Sequence, residues 1–379
     1  MIRDLTDDEA RRALVLKWGE APEGVLPAWV AEMDYAPAPV VTDALLAAVR
    51  DGVLGYPAFI GGGGLGSAYA GFARRHYGQA VDPEQVLPVV DVTAGVRVLL
   101  DVLSGPGAVV MPVPAYSPQL AVAEITGRKR VDLVVDPDAE RAELDLDELD
   151  RLFADGAQTL LLTQPHNPWG RVFTRAELEG VRDVMVRHGA RVVSDEIHAP
   201  LVLPGADHVS YLDIEGTADH AVTLVAASKA FNTAGLRCAQ IVTADPVTAQ
   251  RLRDVPMARN DSWSPLGVVA AVAAYTHGDP WLASLVERLD QQRTLLAVLL
   301  SEHLPAARMR PLQATYLAWI DLRAYGHERP AEVALERGKV WVAEGDDYHP
   351  GLSGHVRVNI ATSAERLGEI VRRMAVALG

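Results

Sequence analysis

The chain has 379 residues, more than a single hydrophobic core usually serves, so one large domain with a smaller one beside it is expected. Acidic residues outnumber basic ones by 50 to 35, a formal net charge of −15, which argues against a nucleic-acid partner and against binding to an anionic membrane surface. The single cysteine, Cys238, excludes an intrachain disulfide and argues against a metal site built on thiolates.

The first residues, with Asp4, Asp7, Asp8 and Glu9, lack the basic-then-apolar pattern of a signal peptide. No apolar run reaches the roughly 18 residues of a membrane span, and a cytoplasmic location is the resulting expectation. Residues 1–42 carry Pro22, Pro27, Pro37 and Pro39 and read as irregular, apart from a helix over 6–16 and an extended piece over 29–35. Leu45, Leu46 and Val49 share one helical face, which predicts a helix over 42–51 with Gly52 as its stop. Gly61, Gly63 and Gly66 satisfy G-x-G-x-x-G, but no hydrophobic strand precedes them. That run is read as a flexible loop before a helix over 67–77 rather than as a dinucleotide fingerprint.

From residue 86 the pattern alternates. Apolar strands over 86–90, 108–111, 131–135, 159–163, 191–194 and 221–225 are separated by helices over 95–103, 118–126, 146–153 and 174–188. The last of these helices opens on a capping box, Thr174 with Glu177. A seventh strand over 238–242 is expected to turn back along the sheet. The fold class that follows is α/β, a three-layer αβα domain around a mostly parallel seven-stranded sheet. Near residue 264 the character changes to two long amphipathic helices over 266–275 and 281–303. Strands over 315–322 and 355–360 and helices over 331–336 and 364–378 follow, an α+β layout. The expected division is a large domain at 43–265 and a small one made of 1–42 and 266–379.

Chemistry concentrates where strands end, which is where ligands bind in open α/β sheets. Lys229 follows the apolar run 221–225. A lysine there is partly desolvated, which lowers its pKa and makes the amine a nucleophile for aldehydes, of which pyridoxal phosphate is the commonest enzyme cofactor. Asp195 closes the strand over 191–194, where its carboxylate serves either to pair with a protonated pyridine nitrogen or as a turn cap. Asn167, after the strand over 159–163, offers an amide donor, although Asn-Pro is also a common turn. Residues 93–96, including Gly95 and Val96, begin a helix after a strand and offer free N–H groups to a phosphate, as any helix start does. Arg237 can add a bidentate contact to the same phosphate. Tyr116 offers a ring to stack on a planar cofactor. Arg357 alternates with Val356 and Val358 on a strand and so points the other way. A substrate carboxylate or an internal acid would satisfy it equally well.

Taken together, these residues carry a resemblance. The pieces are 29–35 with Ala38-Pro39, Val53-Leu54-Gly55-Tyr56, Pro114-Ala115-Tyr116, His166-Asn167-Pro168, Ser194-Asp195-Glu196-Ile197-His198, Ser228-Lys229-Ala230-Phe231-Asn232, 314–319 and Val356-Arg357-Val358-Asn359. End to end, the chain resembles fold-type I pyridoxal-phosphate enzymes of the aminotransferase class I/II superfamily. Within them it is similar to the cystathionine β-lyase, or C–S lyase, branch of the MalY/PatB type.

The resemblance implies that Lys229 holds pyridoxal phosphate as a Schiff base and later moves the Cα proton. It implies that Asp195 pairs with the pyridine nitrogen, that Asn167 and His198 lie near the ring hydroxyl oxygen, and that Tyr116 and Ile197 cover the two ring faces. Gly95, Val96, Ser228 and Arg237 are implied to hold the phosphate, and Arg357 to clamp the substrate carboxylate beside Asn167 and Tyr116. Tyr56 is implied to reach the cofactor of a neighbouring subunit, hence a homodimer with shared sites. Three positions depart from the pattern: Ala226 replaces a common phosphate-binding Ser, Glu32 replaces an Asp, and Trp169 stands where Thr usually follows Asn-Pro. Trp169 is therefore expected to border and reshape the substrate pocket. The implied reaction is α,β-elimination of an L-cysteine S-conjugate such as cystathionine. An aminotransferase on the same scaffold is the alternative, and a non-catalytic binding module is a more distant one.

Overall fold

A computed structural model of the chain describes residues 2–59, 61–260 and 262–379. Its main sheet has seven strands: β2 (Val86–Val89), β3 (Ala108–Val113), β4 (Arg130–Val134), β5 (Ala157–Thr163), β6 (Arg191–Asp195), β7 (Ala221–Val225) and β8 (Ala239–Val242), after a short β1 (Leu26–Pro27) outside it. The spatial order is β2-β8-β7-β6-β5-β3-β4. β8 runs antiparallel to both neighbours, as the sequence led us to expect, and the remaining pairs are parallel.

The central strands are mostly apolar because both their faces are covered. Leu161 and Val193 pack on one side with the helix Val92–Leu103, and their neighbours Leu160, Leu162 and Val192 pack on the other with the helices Leu146–Ala154 and Arg175–His188. The capping box at Thr174 and Glu177 forms, with reciprocal side-chain to backbone bonds.

A second sheet of four antiparallel strands has the order β12-β13-β10-β9, with β9 (Arg308–Met309), β10 (Leu317–Asp321), β12 (Ala343–Glu344) and β13 (His355–Asn359). β11 (Val340–Trp341) instead pairs with β1, in parallel, Leu26 opposite Val340. The N-terminal segment is thereby fastened to the C-terminal part of the chain. One continuous apolar core joins β10 and β13 to the helices Pro39–Arg50, Leu65–Tyr77, Pro265–His277, Asp279–His303 and Ala364–Leu378.

Three local expectations change. The helix Pro265–His277 is buried on nearly every face rather than amphipathic, because it packs against both Pro39–Arg50 and Leu65–Tyr77. The helix over 118–126 is two short pieces, Ser117–Leu120 and Val122–Ile125. The glycine run is an ordered turn: Gly62, Gly63 and Gly64 take left-handed φ of 54°, 64° and 84° and lead into Leu65–Tyr77.

Candidate active site

The carboxyl ends of β5, β6 and β7 and the loops after β2 and β3 meet β13 around a cavity of about 210 Å³. Lys229, Asp195, Asn167, Arg357, Tyr116, Ile197, His198, Ser228 and Arg237 all line it. The strands deliver them in register: Thr163 pairs with Asp195, and Asp195 with Leu224.

Lys229 lies in the one-turn helix Ser228–Phe231, which Asn232 closes in the left-handed region, φ 56°. The Asn232 side chain brackets the Met33 backbone, accepting from its N–H at 3.0 Å and donating to its carbonyl at 3.0 Å. That clamp brings the segment 29–33 over the lysine, whose Nζ donates to the Ala31 carbonyl at 3.3 Å. The Tyr316 hydroxyl donates to the same carbonyl at 3.1 Å. Burial first, and then the Arg357 charge, push the lysine amine down to about 8, against the pull of Glu32 and Asp195.

Asp195 is 4% exposed, and burial pushes its carboxyl up to about 6 although two donors favour the ionised form. The Ile197 N–H donates to Oδ1 at 3.1 Å, and Gln119 Nε2 donates to Oδ2 at 2.6 Å. His198 is held down to about 3, by burial and then by the Lys229 and Arg357 charges, so its ring is neutral near pH 7; its Nδ1 has no hydrogen-bond partner.

Arg357 is buried, and its partners are neutral. Nη1 donates to Asn167 Oδ1 at 3.1 Å, Nη2 donates to the Trp29 carbonyl at 2.8 Å, and the guanidinium lies 5.0 Å from the Tyr348 ring centre. Its Nε has no hydrogen-bond partner among the described residues. A buried cation with neutral partners and a donor to spare, bordering a cavity, is suited to an anion.

At the far end, Val92 and Thr93 border the cavity at the start of the helix Val92–Leu103. Asp91 caps that helix, its Oδ1 accepting from Ala94 N–H at 2.7 Å, and its Oδ2 pairs with Arg237 at 2.5 Å.

Four predicted residues lie outside the cavity. Gly95 and Val96 do not border the cavity. They are buried one turn further along the helix, where the Gly95 N–H donates to the Asp91 carbonyl at 2.9 Å. Gly95 is small because a Cβ there would sit 2.4 Å from Leu224 Cδ2. Trp169 does not border the cavity either: its ring stacks on His166 with centroids 3.8 Å apart and sits in the apolar core with Phe173 and Leu162. The turn between them, closed by Gly170 N–H to the His166 carbonyl at 2.8 Å, directs the indole inward beneath the sheet rather than toward Lys229. Tyr56 lies outside the cavity and is 94% exposed.

Sequence reasoning missed Gln119, Thr163 and Asp91, all of which line the cavity. Gln119 carried one available signal, its place three residues beyond Tyr116 on the same turn.

Residues 18–374 match the family model of aminotransferase class I and II. The chain is 36% identical over 373 residues to the cystathionine beta-lyase of Corynebacterium glutamicum, covering 98% of each chain. It is 32% identical over 377 residues to the cystathionine beta-lyase PatB of Bacillus subtilis, covering 96% of each. Its fold superposes on cystalysin from Treponema denticola, a structure that contains a pyridoxal 5'-phosphate cofactor, with a TM-score of 0.92 at 26% identity, covering 100% of this chain and 99% of that one. By sequence and by fold, the chain belongs to the aminotransferase class I and II family.

Proposed function

We propose that this chain is a pyridoxal-phosphate-dependent C–S β-lyase, which with one water splits an L-cysteine S-conjugate such as cystathionine into a thiol, pyruvate and ammonia. The observation that carries the reading is the pairing, across one cavity, of a lysine amine pushed down to about 8 with the buried Arg357 whose partners are neutral. An aldehyde-bearing anionic cofactor and an amino-acid carboxylate suit those two groups.

The residues present fit the cofactor. Lys229 would hold its aldehyde carbon, Asp195 its ring nitrogen, and Asn167 and neutral His198 its ring oxygen. Tyr116 and Ile197 would flank the ring. Ser228, Arg237 and the first helix amides at Val92 and Thr93 would hold the phosphate. Pyridoxal phosphate, when bound, supplies an electron sink beside the substrate's Cα.

The chain's own residues do the rest. Arg357 grips the substrate carboxylate and fixes which Cα bond faces Lys229. Asn167 orients that guanidinium through its carbonyl oxygen, leaving its NH₂ free to donate. The Lys229 amine takes the proton from Cα, and departure of the β-thiolate completes the elimination. The Tyr316 hydroxyl and the Ala31 carbonyl position the amine between these events.

We propose further that the working unit is a homodimer. Tyr56, Leu54, Leu46 and Val49 are exposed along 46–56, an apolar stretch that a second copy would cover, with Tyr56 reaching the neighbouring site. In this reading the part at 43–265 carries the cofactor, the part made of 1–42 and 266–379 closes over it, and the enzyme works in the cytoplasm.

The reaction is tested by incubating holoenzyme with cystathionine and no keto acid. Sustained release of thiol and pyruvate supports elimination. A single turnover that stops after one equivalent identifies an aminotransferase instead.

A further inference from the structure

The cofactor-facing carboxylate is not held by its own strand alone. Asp195 Oδ1 accepts from the Ile197 backbone, but Oδ2 accepts from Gln119 Nε2 at 2.6 Å, a side chain brought in from the short helix Ser117–Leu120 after β3. Gln119 and Asp195 are 1% and 4% exposed, so water does not substitute for that bond. The amide orientation is fixed as well. Thr163, at the end of β5, donates its hydroxyl to Gln119 Oε1 at 3.4 Å, which leaves the NH₂ aimed at the carboxylate. The flipped amide would place its oxygen against a carboxylate oxygen and is disfavoured.

We propose that Gln119, oriented by Thr163, is a positioning residue that keeps Asp195 ionised toward the cofactor's ring nitrogen. The inference rests on the lyase reading above and deepens it. A carboxylate facing a pyridine nitrogen shares one proton with it. Either the carboxyl keeps the proton and the ring is neutral, or the ring takes it and becomes the stronger electron sink. A hydrogen-bond donor on the carboxylate stabilises the ionised form more than the protonated one, so it drives the proton toward the ring. In a buried site such a bond is charge-assisted and unscreened. The choice of Gln is also consistent with its length. It spans from the short helix Ser117–Leu120 to the end of β6.

The test uses holoenzyme reconstituted with pyridoxal phosphate carrying ¹⁵N in the ring, whose chemical shift reports protonation independently of turnover. Gln119→Leu keeps the bulk and removes the donor. It is expected to move the ring nitrogen toward its unprotonated shift and to lower kcat about tenfold, the size of one charge-assisted bond, with KM within about twofold. Thr163→Val is expected to move both in the same direction by less. Gln119→Glu supplies a donor only when protonated, so it is expected to restore the wild-type nitrogen shift at acid pH and lose it as pH rises. Melting curves of each holoenzyme identify a variant that has failed to fold, in which case Thr163→Val and Gln119→Glu carry the test. A protonated ring nitrogen and unchanged kcat in Gln119→Leu overturn the proposal while leaving the lyase reading intact. A wild-type chain that takes up no cofactor overturns both.

Discussion

Arg237 and Asp91 face each other at the phosphate end of the cavity, guanidinium Nη2 to carboxylate Oδ2 at 2.5 Å. The carboxylate that caps the helix start therefore holds the cation that a phosphate would use. The pair is more than one-third exposed on the arginine side, so its own contribution to stability is small. Its effect on an incoming dianion is larger, because Asp91 repels what Arg237 attracts. Arg237→Met is expected to weaken pyridoxal phosphate binding to the apo chain by about tenfold or more. Asp91→Asn keeps the cap and removes the charge, and is expected to tighten binding. Fluorescence titration of the apo chain measures both; weaker binding in Asp91→Asn would mean that Asp91 aims Arg237 rather than competing for it.

Lys229 sets a pH dependence of cofactor capture. Only the neutral amine attacks an aldehyde, and its pKa is depressed to about 8. Below that point the neutral fraction falls about tenfold per pH unit, and above it the fraction saturates. The rate at which the apo chain develops its cofactor absorbance should climb to about pH 8 and then level off. A rate still climbing at pH 10 would show an amine with ordinary basicity. Lys229→Ala should abolish the absorbance and the reaction together.

Trp169 supports the core, not the substrate. Trp169→Phe leaves space beside His166 and Phe173 and is expected to cost about 1–3 kcal/mol of stability. KM for cysteine S-conjugates should stay within about twofold of wild type. Chemical denaturation and steady-state kinetics on one preparation separate the two effects. A raised KM at unchanged stability would return Trp169 to the pocket.

The proposed sharing of Tyr56 between subunits predicts complementation. Lys229→Ala and Tyr56→Ala chains, each impaired alone, would form a hybrid with one intact site and one doubly damaged site. Random re-association should restore about a quarter of wild-type activity. Analytical ultracentrifugation should find twice the 40.8 kDa chain mass. Mixing without gain would confine Tyr56 to its own subunit.

The sheet was legible because a strand buried on both faces has no polar residue to interrupt it, and 160–162 and 192–193 read that way directly. Asp195, Asn167 and Lys229 were legible because each follows such a run. Arg357 was legible from alternation with Val356 and Val358. Depth along a helix was not. Gly95 looked like a phosphate cradle, yet the strand behind it needed the absent side chain for Leu224. Trp169 follows Asn167 by two residues, but the turn between them sends the two side chains to opposite sides of the sheet's end. Gln119 carried only its nearness to Tyr116, because its bond to Asp195 exists only once β3, β5 and β6 lie side by side.

The segment 29–33 gives the site a birth order. Trp29 carbonyl meets Arg357, Ala31 carbonyl meets Lys229, and Asn359 Nδ2 donates to the carbonyls of Val30 and Glu32, both at 2.7 Å. Along the chain the strap precedes the lysine and β13 follows it. During synthesis the lysine, its sheet and the strap therefore emerge before the arginine and before the Asn359 bonds that fasten the strap from the other side. The pocket is complete only when the strap and β13 meet across more than 300 intervening residues, so a chain cut short of β13 is expected to be inert toward amino acids however well its seven-stranded sheet has folded.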